Sequence, residues 1–521
     1  LSPAILGAEY SWQEPHAKVL RHGDLEWAPK PFAFERGDSL RYIDYENGDD
    51  TAAGTSRDTP WKHHPWDPNA TGNAKACEGI HTYVFRQGVI YRGTMVADES
   101  GEPGNPIRLT RDPSWGEGEA AWYGSRRVTG GWQKAAAADV PEHMPEPEKV
   151  WYLDIGTDFT PSGIWVDEGN TAQRLEIARH PNWMVSDPID PQKEWWDWDE
   201  WKRGTGVFDK EMFAGKPEGF FDGGVIWTDW SGNMGSVVSC KIESVDSQTG
   251  LVKFNAGRAR VRKNNRFFVE NVPGFLDSPG EYYHATTGDH AGRLYLRMPG
   301  DADPNEAAIE LAAESTLLKV EDQSHIHLSG LRISFNNTGG YFVEGYPGPN
   351  GKPTSTLFRG NVRDIAVTNN RFHHVTGAVV AHPRGDRFTH NTYFRDMGEW
   401  RQDTLDDVLI ADNDIRYSSN TDTICVGDGP TIFRAVAGPR GRLGSVKILR
   451  NRLFWVGFRQ GPGAYSNIAA IECVRPAIGE IAGNFVEMSW GSAIFTFSGK
   501  KDKYIDREVP LTRLFIHHNK V

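Results

Sequence analysis

Short segments of alternating apolar and polar residues recur in the last third of the chain, and each ends in the pattern asparagine–any–apolar. The asparagines of this pattern are Asn370, Asn391, Asn413, Asn451, Asn484 and Asn519. They are spaced at roughly 20 to 40 residues, and the segments before them alternate with the period of a strand. A repeat of this length predicts stacked supersecondary units rather than one compact core.

The repeats predict a parallel β-helix, in which each turn of the coil places its strands beside those of the turn before. The short spacings from Asn370 to Asn391 and Asn413 predict bare coils, and the longer spacings after them predict coils with inserted loops. A buried asparagine at the same bend of each coil can hydrogen-bond to those above and below. The alternative is a set of turns after antiparallel strands, but the similarity of the preceding segments favours the coil.

Changes in composition divide the chain into four parts. Residues 1–36 are irregular, and 37–132 contain the short strands expected of a cap and the first coils. The part from 133 to 265 is rich in tryptophan and alternates as antiparallel strands do, which predicts a β-rich inserted domain. The main coil occupies 266–521 and stops in mid-coil, so we expect additional polypeptide or another chain to cover that end.

Charge and composition narrow the classes of function. The chain of 521 residues has a net charge of −13, which argues against nucleic acid as a partner because nucleic acid requires a basic face. No apolar run has the length that crosses a membrane, so no membrane partner is expected. The opening residues lack a basic-then-apolar signal, and we interpret the sequence as a mature chain that is secreted or periplasmic.

Three stretches resemble carbohydrate-active enzymes built on a right-handed parallel β-helix. They read YIDYENGDD…GTSRDTPWK, LEIARHPNW and FFVENVPGFLDSPGEYY…LYLRMP. The nearest groups are glycoside hydrolase families 141 and 120, some of which carry a β-rich domain inserted in the helix. The resemblance implies an all-β fold, a right-handed parallel β-helix interrupted by the inserted domain, and hydrolysis of glycosidic bonds in a plant or algal glycan.

A glycosidase needs two carboxyl groups at one groove, one to donate a proton and the other to act as nucleophile or base. Glu472 lies in the apolar strand NIAAIECVRP, where desolvation would raise its pKa and suit a general acid. Asp422 and Asp428 flank the strand TICV one coil earlier. We predict Glu472 as the acid and one of these aspartates as its partner. The alternatives are an ion pair between Glu472 and an arginine, and turn-forming roles for the aspartates.

Polar and aromatic groups around these carboxyls suit the hydroxyls and ring faces of sugars. The predicted substrate-binding residues are Glu344, His374, Arg384, Arg459, Gln460 and Trp490. No cofactor is predicted. The acidic stretch 401–407 has enough oxygen atoms for a structural calcium ion, but its spacing fits no standard calcium loop, which favours a solvated turn.

Two other functions stay open at this point. A β-helix polysaccharide lyase would neutralise a uronate with basic residues, and His374, Arg384 and Arg459 suit that role, although lysine is sparse from 353 to 499. A non-catalytic glycan-binding β-helix would need no pair of carboxyl groups. The hydrolase is the favoured hypothesis because candidate carboxylates are plentiful in the same region, and carbohydrate is the expected partner.

Overall fold

The structure is a computed structural model that describes most of the chain. The described residues are 11–169, 171–202, 206–229, 237–255, 261, 263, 265–336, 354–382, 403–419, 423–426, 442–457, 469–474, 476–497 and 513–521. Within these ranges the fold is nearly all β. The helical elements are α1 (Gly72–Lys75), α2 (Lys210–Phe213) and the 3₁₀ turns Ser11–Gln13, Pro147–Lys149, Pro273–Phe275, Pro299–Asp301 and Pro304–Glu306. None of the described helices has the length and apolar character needed to span a membrane.

Three of the described sheets are parallel, and from Thr82 onwards the chain visits them in a repeating order. Sheet 1 contains β6 (Met95–Ala97), β25 (Leu318–Glu321), β28 (Thr356–Arg359), β31 (Val379–His382), β34 (Ile424–Val426), β38 (Ala469–Val474) and β41 (Ser492–Phe497). Sheet 2 contains β3 (Leu40–Ile43), β4 (Thr82–Gln87), β7 (Ile107–Gly116), β26 (Ile326–Ser329), β29 (Val362–Thr368), β32 (Thr404–Ala411), β35 (Arg442–Leu443), β36 (Ser445–Leu449), β39 (Ile478–Ala482) and β42 (Arg513–His517). Sheet 3 contains β5 (Ile90–Arg92), β8 (Ala121–Tyr123), β27 (Arg332–Ser334), β30 (Arg371–His373), β33 (Asp414–Ser418), β37 (Arg452–Val456) and β40 (Phe485–Ser489). We call one passage through sheets 1, 2 and 3 a coil.

Alternate residues of these strands form the main core. In sheet 1 a fully buried row runs in register through Val320, Phe358, Ala381, Val426 and Cys473. Branched and aromatic side chains pack well on a pleated surface, and each fully buried large apolar side chain contributes about 1.5–3 kcal/mol. The core therefore fixes the register, because a slip by one residue would turn the whole row outwards.

An asparagine ladder lies at the turn from sheet 2 to sheet 3. Asn413 Nδ2 donates to Asn451 Oδ1 at 2.8 Å and to the Val367 carbonyl at 2.9 Å. Asn413 Oδ1 accepts from the main-chain amide of Asn370 at 3.0 Å and from its side-chain amide at 3.2 Å. Asn451 bonds to Asn484 in the same way. Each of these buried amides uses both its donors and its acceptor, so burial leaves no polar group unsatisfied.

The residue before each ladder asparagine has a positive φ. These residues are Asn369, Asp412, Arg450, Gly483 and His518. In each complete turn, only this residue and the asparagine separate the strand of sheet 2 from the strand of sheet 3. A left-handed residue makes such a sharp change of direction feasible, and glycine, asparagine and aspartate adopt it most readily.

One predicted member of the ladder is wrong. The pattern predicts Asn391 between Asn370 and Asn413, yet those two bond directly, and β29 pairs with β32 without a strand between them. The predicted bare coils are therefore a single coil. Asn391 itself lies outside the described residues. The motif is a local sequence pattern, whereas a place in the ladder requires a bonding partner on either side.

Residues 11–36 run along the outside of these turns, and we call them the N-terminal strap. It includes the short strands β1 (Lys18–Val19) and β2 (Leu25–Glu26). Arg450 donates to His16 Nδ1 at 2.7 Å, and the Lys30 amide donates to Asp412 Oδ1 at 2.7 Å. The strap thus binds the residues of positive φ that precede the ladder asparagines.

The strap crosses the coils in the reverse of chain order. Ser11 Oγ donates to Glu480 at 2.6 Å in the last described coils. At the other end the ring of Phe32 covers Gly330, where a Cβ would lie 2.5 Å from the ring. Sequence patterning gave this segment no element, because its partners lie hundreds of residues away along the chain.

Between β8 and β25 the chain forms two further sheets in which most neighbouring strands are antiparallel. Sheet 4 contains β9 (Ser125–Val128), β10 (Gln133–Lys134), β11 (Trp151–Asp154), β12 (Ile164–Asp167), β13 (Ala172–Ile177), β22 (Glu281–His284), β23 (Arg293–Arg297) and β24 (Ile309–Ala312). Sheet 5 contains β14 (Arg179–His180), β15 (Trp196–Asp197), β16 (Glu200–Lys202), β17 (Gly206–Phe208), β18 (Val225–Asp229), β19 (Val237–Asp246), β20 (Leu251–Phe254) and β21 (Arg266–Glu270). These two sheets also include β9, which precedes the predicted inserted domain 133–265, and β21 to β24, which follow it. The sequence could not show this, because parallel and antiparallel strands have the same alternation of apolar and polar residues.

A buried ion cluster joins the antiparallel region to the coils. Glu310 on β24 is fully buried and accepts two hydrogen bonds at 2.8 Å from Arg92 on β5. Ser125 and Arg127 on β9 also donate to it. Burial alone would raise the pKa of Glu310, but the bonds and charge of Arg92 together with the bonds from Ser125 and Arg127 outweigh burial and hold that pKa below its usual value. The carboxylate therefore stays ionised and fixes the two regions against each other.

Candidate active site

Five of the connections that flank sheet 1 are much longer than the turns at the ladder. These long connections are 335–355, 383–403, 427–441, 457–468 and 498–512. Every one begins or ends at a strand of sheet 1, and none lies at a described turn from sheet 2 to sheet 3. Functional side chains are commonly placed on such connections by the regular strands beneath them, so sheet 1 is where a groove is expected.

The outer face of sheet 1 carries a row of side chains in register. The side chains of Val96, Lys319, Leu357, Val380 and Glu472 share this row, whose backbone register between Val380 and Glu472 passes through Cys425. The flanking Ile471 and Cys473 belong to the core, so Glu472 between them points away from it. Exposure along the row falls from 46% at Val96 to 4% at Glu472. Glu472 therefore lies on an outer face that is shielded from water.

Glu472 is the acidic residue of the otherwise apolar strand β38. Its register partners on the adjacent strands are Cys425 and Phe495. A general acid needs a carboxyl group that carries a proton, and a position shielded from water is one condition that favours it.

A second outer row, two residues further along the strands, carries Glu321, Arg359 and His382, and its member nearest to Glu472 is His382, two strands away. Arg359 donates to Glu321 at 3.4 Å, and Lys319 Nζ lies 3.5 Å from the same carboxylate. The imidazole of His382 is almost completely buried. This face thus combines one shielded carboxyl group with basic groups and an imidazole, all of which can hydrogen-bond to hydroxyls.

Sheet 3 holds a different carboxylate on its outer face. Asp414 on β33 accepts from Arg416 at 2.9 Å, and the His373 imidazole lies 3.7 Å from it. Burial would raise the pKa of Asp414, but the neighbouring His373 and Arg416 outweigh it and bring that pKa to about 2. Asp414 is therefore a permanent anion at neutral pH, which suits charge stabilisation and not proton donation.

The predicted residue His374 lies in a row of rings on the outer face of sheet 3. We give the name ring row to Phe335, His374, Tyr417 and Trp455, all of which have positive φ. The imidazole of His374 stacks on Tyr417 with centroids 4.8 Å apart and planes 11° apart. Burial, together with the nearby charge of Arg174, lowers the pKa of His374 to about 3. At neutral pH His374 is an uncharged flat ring, so it supplies no positive charge to a uronate.

Trp490 lies at the passage from sheet 3 to sheet 1, between β40 and β41. Its side chain is 9% exposed, and its ring centroid is 5.9 Å from that of Trp195 in the tryptophan-rich part. The contact brings the antiparallel region to the edge shared by sheets 1 and 3. Little of the indole face is left for a ligand in this arrangement.

The structure does not bring all the predicted site residues together. Glu472 faces outwards from sheet 1 and His374 from sheet 3, with Trp490 at the edge between these sheets. Asp422, Asp428, Glu344, Arg384, Arg459 and Gln460 lie outside the described residues. Sequence reasoning missed Asp414 and the other members of the ring row. A usable signal was present, because His374, Tyr417 and Trp455 are each the fourth residue after a ladder asparagine.

The acidic stretch 401–407 is mostly part of a strand. β32 begins at Thr404, and Asp406 accepts a hydrogen bond from the Ser445 amide at 2.7 Å. The predicted solvated turn is therefore wrong from Thr404 onwards. In the ranges that the structure describes, no cluster of three or more histidine, cysteine, aspartate or glutamate side chains has a geometry that could hold a metal ion.

Comparisons with known proteins concern the fold. No protein-family model matches the chain, and no curated protein matches it. A solved structure described as "Glycoside hydrolase" is 13% identical with a TM-score of 0.50, and the match covers 93% of this chain and 96% of that one. The complex of XylC with xylose is also 13% identical, with a TM-score of 0.45 and coverage of 88% and 60%. The GH136 lacto-N-biosidase from Eubacterium ramulus is 10% identical, with a TM-score of 0.33 and coverage of 86% and 51%. The first likeness extends over nearly the whole of both chains and shows a similar fold.

Proposed function

We propose that this protein is a glycoside hydrolase built on a right-handed parallel β-helix, and that it cleaves glycosidic bonds of a plant or algal glycan at the outer face of sheet 1. The observation that carries the proposal is the position of Glu472, which points away from the core and yet is 4% exposed. The similarity in fold to a solved glycoside hydrolase over most of both chains agrees with it. We extend the proposal to a secreted or periplasmic enzyme related to families 141 and 120.

In the proposed reaction Glu472 donates its proton to the glycosidic oxygen as the bond to the sugar breaks. A second carboxylate then acts either as nucleophile or as base for a water molecule. We propose Asp422 or Asp428 for this role, because these residues flank β34, whose Cys425 is the register partner of Glu472. Neighbouring strands are about 4.8 Å apart. A carboxyl group near β34 could therefore lie about 5–10 Å from that of Glu472, which is the separation that the two mechanisms use.

The remaining predicted contacts to substrate are also proposals. Arg384, Arg459, Gln460 and Glu344 would bind hydroxyls from the long connections, together with Arg359 and His382 on the outer face of sheet 1. His374 and Trp490 would contact the sugar through their ring edges, since the face of His374 stacks on Tyr417 and the indole of Trp490 packs against Trp195. The proposed chemistry needs only carboxyl groups and water, so we propose no cofactor.

The test is activity of the wild type and of Glu472→Gln on a panel of plant and algal glycans. We expect new reducing ends without the ultraviolet absorbance of an unsaturated uronate. Glu472→Gln should lower the rate by at least about 100-fold, since an amide cannot donate the proton. The matched control is Glu321→Gln, which removes a carboxylate from the neighbouring outer row and should retain most of the activity. Equal rates for wild type and Glu472→Gln would disprove the role of Glu472.

A polysaccharide lyase is the second candidate, and one observation favours it. Lys319, Arg359 and His382 share the outer face of sheet 1 with Glu472, and a lyase needs basic groups near a uronate. The same incubation separates the two activities, because a lyase produces the unsaturated product in proportion to the new reducing ends. Binding of a glycan without either product would instead indicate a non-catalytic binding protein.

A further inference from the structure

The ring row occupies the same position on successive coils of sheet 3. Phe335, His374, Tyr417 and Trp455 each follow an outward-facing residue of a sheet 3 strand. The ring centroids of Phe335 and His374 are 5.9 Å apart, and those of His374 and Tyr417 are 4.8 Å apart. Phe454 lies beside the row, 5.8 Å from Tyr417. The chain thus builds a nearly continuous strip of aromatic surface along the direction in which the coils stack.

The backbone of the ring row is unusual for such large side chains. The φ values are 62° at Phe335, 55° at His374, 57° at Tyr417 and 60° at Trp455. Positive φ is strained for bulky residues because Cβ approaches the backbone. Strained residues that recur in a structure are candidates for a functional role.

The ladder turns provide an internal comparison for this backbone. There the fold also requires positive φ, and three of the five residues are Gly483, Asn369 and Asp412, which tolerate it. The other two, Arg450 and His518, are bulky, and Arg450 binds His16 of the strap. The ring row places aromatic side chains in the same conformation one strand later. Since the turn itself would be better served by glycine or asparagine, the rings have a use beyond shaping the backbone.

Exposure gives the strip a closed end and an open end. Phe335 is fully buried against Trp165 of the antiparallel region, with centroids 4.9 Å apart. Tyr417 is 40% exposed, and Phe454 and Trp455 are half-buried. An aromatic strip that served only to pack the protein would be covered along its whole length. The open end is therefore available to a ligand with flat apolar faces.

The charged groups beside the open end are internally balanced. Arg416 lies 2.8 Å from Asp414, and Arg452 lies 3.1 Å from Glu487 on the same face. Each guanidinium is thus compensated by a carboxylate, and both kinds of group can bond to hydroxyls. Among the residues that the structure describes here, an acidic polymer would meet repulsion from the carboxylates without gaining an uncompensated cation.

We propose that Tyr417 and Trp455, at the open end of the strip, form a platform on which the pyranose rings of a neutral glycan stack. Successive coils are about 4.8 Å apart, so a glycan chain lying along the stack meets a ring on each coil. The uncharged glycan is the class that the balanced ion pairs favour. The choice of a sugar ligand rests on the proposed function, whereas the position of the platform does not.

The test measures binding without turnover. Retardation in native gels containing soluble arabinoxylan, xyloglucan or laminarin would be compared with retardation in polygalacturonate, using Glu472→Gln as the parent. We expect binding to at least one neutral polysaccharide, weakened at least tenfold by Tyr417→Ala with Trp455→Ala. Tyr417→Phe should bind like the parent, because stacking needs the ring and not the hydroxyl. Trp12→Ala removes a ring of 45% exposure from the strap and is the matched control, with no expected loss.

A second variant keeps the proposal falsifiable if the alanine variants fold poorly. Tyr417→Gly removes the ring and relieves the positive φ, so it should melt no lower than the parent and still lose binding. A merely structural ring would instead lower the melting temperature and leave binding unchanged. Undiminished affinity in the glycine and alanine variants, or a parent that binds none of the neutral polysaccharides, would overturn the platform. Loss of binding in these variants of a protein that never hydrolyses glycans would overturn only the proposed function.

Discussion

The turns from sheet 2 to sheet 3 and the connections at sheet 1 both join strands that stay in register with the next coil, but they do so in opposite ways. At the ladder, a residue of positive φ and a buried asparagine complete each turn, and the strap covers the outside. At sheet 1 the long connections 383–403, 427–441 and 498–512 join strands that are still in register. Register is therefore held by one corner and the core, and this leaves the other corners free to carry insertions.

This contrast explains why the candidate chemistry lies where it does. A turn that must satisfy its own buried amides has no side chain to spare for a ligand. A connection that does not set the register can change in length and sequence without disturbing the stack. Glu472 lies on the variable side, on a strand whose position is fixed by its neighbours.

The largest effect should come from lengthening each kind of turn by the same four glycine and serine residues. Insertion between Asp412 and Asn413 separates the ladder asparagine from the residue that binds the strap. It should lower the free energy of unfolding by more than about 5 kcal/mol, because several buried amides lose their bonds. Insertion between Gly360 and Asn361, at a turn from sheet 1 to sheet 2, should cost about 1–2 kcal/mol. Urea unfolding of the two variants measures the difference. Equal losses would show that the corners do not differ in this way.

A smaller effect is expected when one ladder side chain is removed. Asn413→Ala takes a partner from the Asn370 amide and from the Val367 carbonyl, and should lower the free energy of unfolding by about 3–5 kcal/mol. Asn182→Ala is the control, since that exposed side chain donates to Ser278 Oγ at 2.6 Å on the surface and should cost about 1 kcal/mol or less. Chemical denaturation gives both values. A loss below about 1 kcal/mol for Asn413→Ala would contradict the role of the ladder.

The smallest effect concerns pH at the ring row. Burial lowers the pKa of His374 to about 3, so the folded state resists a proton that the unfolded chain accepts near pH 6.5. The stability due to neutral His374 is complete above about pH 6.5 and is lost as the pH falls towards 3. His374→Phe keeps a flat ring and removes this titration. Between pH 7.5 and 4.5 its free energy of unfolding should fall by about 1–2 kcal/mol less than that of the wild type. Denaturation at both pH values tests this, and identical losses would contradict it.

The stack of coils could be predicted because each coil repeats the same short sequence motif at its ladder turn. Asn413, Asn451 and Asn484 each follow a strand of sheet 2 and precede one of sheet 3, so the same short motif recurs with the coil. The inference failed at Asn391, which carries the motif without a place between its neighbours. The strap could not be predicted at all, since the contact of Ser11 with Glu480 depends on the assembled stack.

The candidate site was predictable only as far as alternation reaches. The alternation of residues along a strand predicts that Glu472 faces the opposite way from Ile471 and Cys473, and these two residues do belong to the core. Alternation cannot reveal a residue of positive φ, because such a residue breaks the period. For this reason Tyr417 was missed, although its place after Asn413 repeats that of His374 after Asn370.

The path of the strap has a consequence for the order of assembly. Its first described residues meet Glu480, while Trp12 stacks on Phe515 at 5.5 Å, so these partners are synthesised hundreds of residues later. Chains emerge from the ribosome at about 5–20 residues per second. The strap must therefore wait tens of seconds without its final contacts, and it closes over the stack only after the coils beneath it exist.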